Sequence, residues 1–497
     1  MFVSHVKLLE WVTAEESDRI DKDSVFYYIH KCIASAVCGA VLFFFAPSYV
    51  AKLFGLLFFA FPLFAYYESK PLNKHSSDII TVNFSDADKN YLLSHARDMW
   101  NYFAENVNKK SNYLPPDNIQ LSPAEHVAYR TSPTNIGFYL VSALAAKDLG
   151  FITTEELVSR LEKSLTVIQA LPKYGGNLYN WYDIKTLTVL GNGYVSTVDS
   201  GNFIVMLVAL RQGLLGLKDE HEAIPRLIEM INEIIESHDF RMLYNVKRNL
   251  FTLGIDTATG KPDNICYDLF MSEARLTAYY ALAKGIVPKK LWRSLGRTLT
   301  ASGGYIGMIS WSGTAFEYLM PQLFLPIYRN SFTYESLCFA LAEQKRARYN
   351  NLWGISESAF YSFDSDMNYQ YKAHGVQKLA LKRYNGDEAV LSPYSTYLSL
   401  CVLRGSAISN LKRFEQAGMY GKYGLYEAMD MTPARSGGLS APGQTENGVI
   451  VRSYMAHHLG MSIIACANAI KDNCFVKRFM SDSSMGAAYE LLQEKIP

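Results

Sequence analysis

Glu357 stands in the stretch NLWGISESAF, residues 351–360, with a serine on each side and a Trp-Gly pair upstream. Ser356 and Ser358 can donate hydrogen bonds that hold a carboxylate ionised. Trp353 and Phe360 can keep water away and strengthen its field on a developing cation. Glu273, in YDLFMSEARL, opens a helical pattern between Met271 and Leu276. Apolar neighbours raise a carboxyl's pKa because burial disfavours the charged form, whereas a helix N-terminus favours the anion. Glu273 is thus a candidate proton donor, with simple helix-start preference as the competing account. Asp199 precedes an apolar helix and is followed by Ser-Gly-Asn, so it reads as an N-cap or as a hydroxyl ligand. Asp183, Asp268, Glu317, Glu427 and Asp430 are the remaining candidate acids. Glu427 and Asp430, in YEAMD, share a face if that segment is helical. Arg130, Arg435 and Arg452 are placed to hold acids in position. Carboxyls set in this way do general acid–base and nucleophilic work.

Other chemistries are not indicated. His457 and His458 are adjacent and diverge by about 100° on a helix, so they do not grip one metal, and HExxH spacing is absent. One of them reads as a hydroxyl ligand, and no metal is expected. No P-loop and no GxGxxG occurs, so no nucleotide and no other cofactor is implied. The seven cysteines are odd in number and none is in a CxxC pair, which reads as free thiols in a reducing compartment. A net charge of +1 gives no basic face for nucleic acid.

The elements that carry these residues follow a pattern. EELVSRLEKSLTVIQAL (155–171) puts Leu157, Leu161, Leu165 and Ile168 on one stripe, so one face stays wet. FIVMLVALRQGLLGL (203–217) is apolar nearly all round and should be buried. AIPRLIEMINEIIESH (223–238) is amphipathic again, and EARLTAYYALAKG (273–285) is another buried-type helix, stopped by Gly285 and Pro288. Wet and dry helices alternate, which is the order of an α/α barrel. Strand-like alternation is scarce, apart from a small hairpin within 240–265.

Between the helices lie stretches rich in rings and polar groups. They present Arg130; Asn180, Trp181, Tyr182 and Asp183; Asp199 and Asn202; Trp311 and Glu317; and Trp353. Further on come Tyr369, Gln370 and Tyr371; Glu427 and Asp430; and Arg452, Tyr454, His457 and His458. Gathered at one end of a barrel, they would line a cleft in which rings stack on pyranose faces and polar groups bond hydroxyls. That is a sugar subsite. An aromatic content of 13%, with 34 Tyr and 27 Phe, suits such ligands and also suits a large core.

Residues 32–67 carry one charge, Lys52, and Pro47-Ser48 splits them into two apolar pieces. Each piece is near the short limit of about 17–25 residues for crossing a bilayer. The acidic, polar stretch before them argues against a secretory signal. The expectation is a membrane hairpin within an N-terminal segment, residues 1–75, with the hairpin at about 26–67. A second region, 76–497, carries the chemistry. A hairpin leaves both flanks on one side, which the free cysteines suggest is the cytosol.

RTSPTNIG, YNWYD, YVSTVDSGN, WGISES, NYQYKAHG, YGLYEAMD and VRSYMAHHLGMS resemble, in order, the glycoamylase-like domain of bacterial cyclic β-1,2-glucan synthases. The resemblance runs from about residue 85 to the C-terminus. It implies an all-α (α/α)6 barrel that cuts a linear β-1,2-glucan and closes it into a ring with retention, at the bacterial inner membrane and facing the cytosol. On that pattern Glu357 is the nucleophile and Glu273 the acid/base, with the other residues named above binding substrate. Retention needs one carboxyl as nucleophile and one that first protonates and then deprotonates. The glycosyltransferase and phosphorylase-like domains that flank this region in the family do not occur in these 497 residues, so they are expected as partner domains or subunits. Relatives that hydrolyse β-1,2-glucan make an endo-glucanase the alternative. A membrane-tethered glycan-binding module without turnover is a third reading.

Overall fold

Three helices are apolar on every side and lie inside the protein: Pro133–Asp148, Thr197–Leu215 and Ala456–Ile470. Thr197–Leu215 is long and apolar enough to cross a membrane, yet 78% of its apolar window is buried by the protein itself, so it is a core helix. The first two start on serine caps. Ser132 accepts from the Asn135 amide, with Pro133 at the first helical position, and Ser196 accepts from the Asp199 amide. Asp199 is therefore not the N-cap but sits in the first turn, with its side chain free for other work. Arg275–Ala283, Pro393–Leu398 and the short Ala315–Leu319 helix are also buried, and Gly285, at φ +68°, follows the first of these.

Half-wet helices alternate with these along the chain. Thr154–Ala170 buries Leu157, Leu161, Leu165 and Ile168, the stripe its sequence predicts. Ile224–Ser237 and Arg404–Gln416 also pack one face against the core, whereas Phe332–Arg346 is buried along nearly its whole length. The computed structural model describes residues 24–68, 84–384, 388–436, 444–445 and 448–495.

Strands are short, antiparallel and more numerous than the sequence pattern suggests. The expected 240–265 region holds two pairs, Tyr244–Asn245 with Leu250–Phe251 and Gly254–Asp256 with Lys261–Pro262. Two further features bear on the site. Ser358–Phe363 pairs with Tyr369–Lys372 in a hairpin directly after Glu357. Val390–Leu391, Ala428–Asp430, Gly448–Val451 and Gln444–Thr445 form a four-stranded sheet. The YEAMD segment is thus extended and not helical. Glu427, just ahead of the strand, accepts from the Ala359 amide and Asp430 from the Tyr361 amide, so both reach the Ser358–Phe363 strand.

The chain divides into two compact units, Met1–Lys74 and His75–Pro497, and the expected boundary at 75–76 lies outside the described residues. In the first unit, Ile33–Phe45 and Tyr49–Glu68 pack along each other. Gly39 and Gly55 set that approach: a Cβ on Gly39 would lie 2.3 Å from the Phe59 amide nitrogen. Phe44, Phe45, Leu53, Leu57 and Phe64 are exposed on its surface.

Candidate active site

The starts of six buried helices are tied together in chain order. Thr134 Oγ1 donates to Asp199 Oδ1 at 2.6 Å, joining Pro133–Asp148 to Thr197–Leu215. Asn202, one turn into the latter, donates to Glu273 Oε2 at 3.2 Å, just ahead of Arg275–Ala283. Glu273 in turn feels the charge of Glu317, in the first turn of Ala315–Leu319. The Phe316 amide of that turn donates to Ser356 Oγ at 3.0 Å, and Ser356 Oγ is 2.7 Å from the Tyr394 hydroxyl, at the start of Pro393–Leu398. The Tyr394 ring stacks on His458, with centroids 3.7 Å apart, at the start of Ala456–Ile470. Asp117 closes the circuit. Its carbonyl accepts from the Ala456 amide at 2.8 Å and its Oδ1 from Asn135 Nδ2 at 2.9 Å.

Glu273 and Glu357 share this space. Both are half-buried, and the charge of Glu357 reaches Glu273. Burial is the main reason that the Glu273 carboxyl is held well above the usual carboxylate range, and the nearby charges of Glu357, Asp199 and Glu317 push the same way. Glu357 is pushed up to about 8, first by burial and then by Glu317. Its neighbours do not act as the sequence suggests. Ser356 is occupied by Phe316 and Tyr394, and Ser358 Oγ has no hydrogen-bond partner among the described residues. The expected serine support for an ionised Glu357 is therefore absent, and the environment favours the protonated form. What is fixed is the backbone: the Tyr394 hydroxyl donates to the Glu357 carbonyl at 3.0 Å, and the Ala359 amide donates to Glu427 Oε1 at 3.2 Å.

Two hollows approach the Glu357 segment. One, of about 440 Å³, is lined by Arg130, Asp183, Ala359, Tyr369 and Tyr371 among others. The other, of about 390 Å³, is lined by Ile355, His374, Tyr384 and Glu388 among others. Ala359 borders the first and Ile355 the second, so Glu357 lies in the chain between them. Both volumes are in the range of about 300–1,000 Å³ typical of ligand sites.

The remaining candidates divide by environment. Arg130 holds Asp117 through Nε and Nη2 at 3.2 and 3.1 Å and lies over the Trp181 ring. Asn180, with its amide oriented to satisfy its neighbours, donates to Asp199 Oδ2 at 2.8 Å and accepts from Trp181 Nε1 at 3.3 Å. Burial raises the Asp199 pKa. Asp183 accepts from the Lys185 and Thr186 amides and borders the larger hollow. Glu317 caps its own helix, accepting from Ser310 Oγ and from the Ser312 and Thr314 amides. Trp311 and Gln370 are exposed. His457 and His458 bring their ring centroids within 4.1 Å of each other, closer than the expected divergence. Burial lowers the pKa of each to about 3.

Several expectations fail on burial. Tyr182 is enclosed and donates to the Pro172 carbonyl at 2.6 Å. Trp353 is in the core, where its carbonyl accepts from Asn410. Tyr454 is packed between Tyr423 and Tyr426. Asp430 is enclosed with Arg435, which also reaches Glu388. Arg435 thus holds an acid as expected, but that acid does not face a hollow. Glu427 is buried against His458, with its pKa pushed up to about 8 by burial. Glu427 and His458 are therefore behind the surface rather than on it. Arg452 is exposed over the Tyr426 ring, and Asp268 is exposed. Sequence reasoning missed Asp117 and Tyr394. Asp117 lies in PPDNIQ, where an acid among prolines and amides is a signal that could have found it; Tyr394, in SPYSTY, gave no such signal.

Residues 268–483 match the family model described as "Putative glucoamylase", and residues 94–235 match one described as a protein of unknown function, DUF3131. The first of these matches, less than half of the chain, is a similarity to that glycoamylase family. The whole chain is 29% identical to the cyclic beta-(1,2)-glucan synthase NdvB of Rhizobium meliloti (strain 1021), over 626 aligned positions that cover 22% of that protein. The chain thus spans about a fifth of the length of that relative. Three solved structures share the fold. A putative glucoamylase from Bacteroides fragilis NCTC 9343 aligns at 16% identity and TM-score 0.64, over 83% of this chain and 98% of that one. An endo-beta-1,2-glucanase from Chitinophaga pinensis, bound to sophorotriose and glucose, aligns at 17% and 0.64, over 83% and 99%. An endo-beta-1,2-glucanase from Talaromyces funiculosus with sophorose aligns at 13% and 0.64, over 86% and 90%. The region that matches the glucoamylase model begins at the segment that carries Glu273 and includes Glu357, Glu427 and His458; Asp117, Arg130 and Asp199 precede it.

Proposed function

We propose that this chain is a carbohydrate-active enzyme that cleaves a linear β-1,2-glucan and joins the new end to the same chain's other end, giving a cyclic product with retained configuration. The observation that carries the reading is the enclosure of Glu273 and Glu357, both raised first by burial, with the charge of Glu357 reaching Glu273. The circuit of six helix starts supports an (α/α)6 barrel for residues 76–497 with its site at one mouth. The similarity to a cyclic glucan synthase and the fold shared with endo-β-1,2-glucanases support β-1,2-glucan as the substrate class.

Glu273, held protonated by burial and by the charges of its neighbours, gives its proton to the leaving glycosidic oxygen. Glu357 in its ionised form attacks the anomeric carbon, forming a glucosyl ester as the old bond breaks. At pH 7 a carboxyl with a pKa of about 8 is ionised about a tenth of the time, so the nucleophile is available but not abundant. Glu273, now a carboxylate, takes the proton from a 2-hydroxyl at the far end of the glucan, whose oxygen attacks the same carbon and frees Glu357. Two inversions leave the configuration unchanged. Arg130, Trp181, Asp183, Asp199, Tyr369 and Tyr371 are the residues placed to hold sugar units.

The apolar helices of residues 26–67 act as an anchor in the bacterial inner membrane with the enzyme unit on the cytosolic side. Polymerisation of glucose is left to other domains or subunits. A hydrolytic endo-glucanase is the second reading, favoured by the glucanases among the solved structures of this fold; water then replaces the 2-hydroxyl. The experiment is product analysis on linear β-1,2-glucan with anomer-resolved NMR. Rings that resist exo-acting enzymes, formed with retention, support transfer. Short reducing oligomers support hydrolysis. Binding without new products leaves only a glycan-binding module and overturns the enzyme reading.

A further inference from the structure

Tyr371, His458 and Glu427 are joined end to end beside Glu357. The Tyr371 hydroxyl lies 3.3 Å from His458 Nε2, and His458 Nδ1 lies 2.9 Å from Glu427 Oε2. Glu427 Oε1 accepts from the Ala359 amide, two residues beyond Glu357. The imidazole is kept flat against the Tyr394 ring, 3.7 Å between centroids with 13° between planes, and Tyr394 itself donates to the Glu357 carbonyl. Glu427 and His458 are 4% and 2% exposed, so neither meets a bound glycan. Tyr371, at the other end, is 40% exposed and borders the larger hollow. Among the charged groups around its hydroxyl, Glu357 acts on it most strongly.

A neutral imidazole has one donor and one acceptor nitrogen, so protonation at one end of such a chain dictates the direction of the hydrogen bond at the other. With Glu427 ionised, His458 Nδ1–H donates to it, the Nε2 lone pair accepts the Tyr371 proton, and the phenol oxygen faces the hollow as an acceptor. With one proton added to Glu427, its O–H donates to Nδ1, Nε2–H donates to the Tyr371 oxygen, and the phenol proton turns to the hollow as a donor. No charge separates in either arrangement, which suits a buried site.

We propose that Glu427 and His458 are positioning residues whose shared proton decides whether the Tyr371 hydroxyl donates to, or accepts from, the sugar unit held at Glu357. The idea rests on the functional reading above for its sugar, but the relay itself is a property of these three side chains. Other groups facing it are Asp117, whose charge reaches Tyr371, Glu427 and both histidines, together with Tyr394 and His457.

The test uses the full chain. Tyr371→Phe keeps the ring and removes the hydroxyl; Glu427→Gln and His458→Gln remove the relay. Each should lower kcat for cleavage of β-1,2-glucan about tenfold or more with KM nearly unchanged. The double variants should be no worse than Tyr371→Phe alone. If His458→Gln does not fold, Tyr371→Phe and Glu427→Gln complete the cycle. Histidine 15N NMR reads the relay without turnover. The His458 signal, assigned by its loss in His458→Gln or its displacement in Tyr371→Phe, should pass from Nε2–H to Nδ1–H as pH rises from 6 to about 10, and should stay in one tautomer in Glu427→Gln. Additive losses in the double variants, or a wild-type tautomer that ignores pH, overturn the proposal. An inactive wild type with the predicted tautomer change instead overturns the substrate reading and leaves the relay supported.

Discussion

Glu317 raises Glu357 without sharing its chemistry, and this makes Glu317→Gln an informative perturbation. Glu357 rises from 4.5 to about 8, with burial as the larger cause and the Glu317 charge as the next. That rise to about 8 corresponds to about 5 kcal/mol against ionisation in place. Glu317 supplies the lesser part, so removing its charge should lower the Glu357 pKa by less than about 2 units. The sign follows from the role: a nucleophile works ionised, so the rate of bond cleavage should climb about tenfold per pH unit until it levels near pH 8. In Glu317→Gln that rising limb should move to lower pH, and the rate at pH 6 should increase relative to the plateau. The glutamine still accepts from Ser310 and the Ser312 and Thr314 amides, so the helix cap is largely kept. Initial rates of linear β-1,2-glucan cleavage between pH 5 and 10 provide the assay. A limb that stays put, or shifts to higher pH, would refute the electrostatic link between these two carboxyls and with it the assignment of Glu357 as the group that must ionise.

Stability should report the same strain. A carboxyl raised in the fold costs nothing below its unfolded value and destabilises increasingly as pH climbs from 4.5 through about 8, so Glu357→Gln should lose several decades of activity yet melt higher than the parent at pH 9 and equally at pH 4. Arg275 is 2% exposed, its Nε and Nη2 have no hydrogen-bond partner among the described residues, and burial lowers its pKa to about 9. The cost of its charge is present below pH 9 and is relieved above it, so Arg275→Met should stabilise the fold at pH 7 by on the order of 1–4 kcal/mol in thermal unfolding. In the N-terminal unit, Gly39→Leu should force the two helices apart, because its Cβ would meet backbone atoms; cysteine cross-linking between the helices should fall sharply while membrane extraction stays the same.

How much of this was legible in sequence depends on the length of each signal. The Leu157–Ile168 stripe and the uniformly apolar 203–217 run span several turns, and both formed the elements they imply. The one small hairpin expected within 240–265 is instead two short pairs, Tyr244–Asn245 with Leu250–Phe251 and Gly254–Asp256 with Lys261–Pro262. The sheet through Ala428–Asp430 was not legible: strands of two to four residues are too short for a period of two to emerge. Site residues were marked by composition, as polar groups among rings, but composition does not tell a surface ring from a buried one. Trp353 and Tyr454 look like stacking platforms in sequence, and in the fold they are core. Glu427 and His458 look like ligands and stand one layer behind. Ser356 and Ser358 flank Glu357 in the chain, but neighbouring residues on an extended segment face opposite ways, so adjacency did not become contact.

The placement of the acids follows from how buried helices end. Asp199 and Glu317 lie in the first turn of their helices, and Glu273 lies just ahead of one. A helix N-terminus offers unpaired amides and a partial positive charge, so anions are tolerated there at a saving of about 0.3–1 kcal/mol each. Such ends, the Asp199 and Glu273 ends tied by the Asn202–Glu273 hydrogen bond, allow carboxyls to crowd where bulk repulsion would scatter them. Glu357 is the exception. It precedes a strand, has no helix end beneath it, and is opposed by Glu317. Burial raises all four carboxyls, but hydrogen bonds pull Asp199, Glu273 and Glu317 part of the way back, and none is among the causes acting on Glu357. An ion in that position is relieved by bonding to an electron-poor carbon, which is the step asked of a nucleophile. If Glu357 were only a hydroxyl ligand, nothing would be gained by placing it where its charged form is disfavoured.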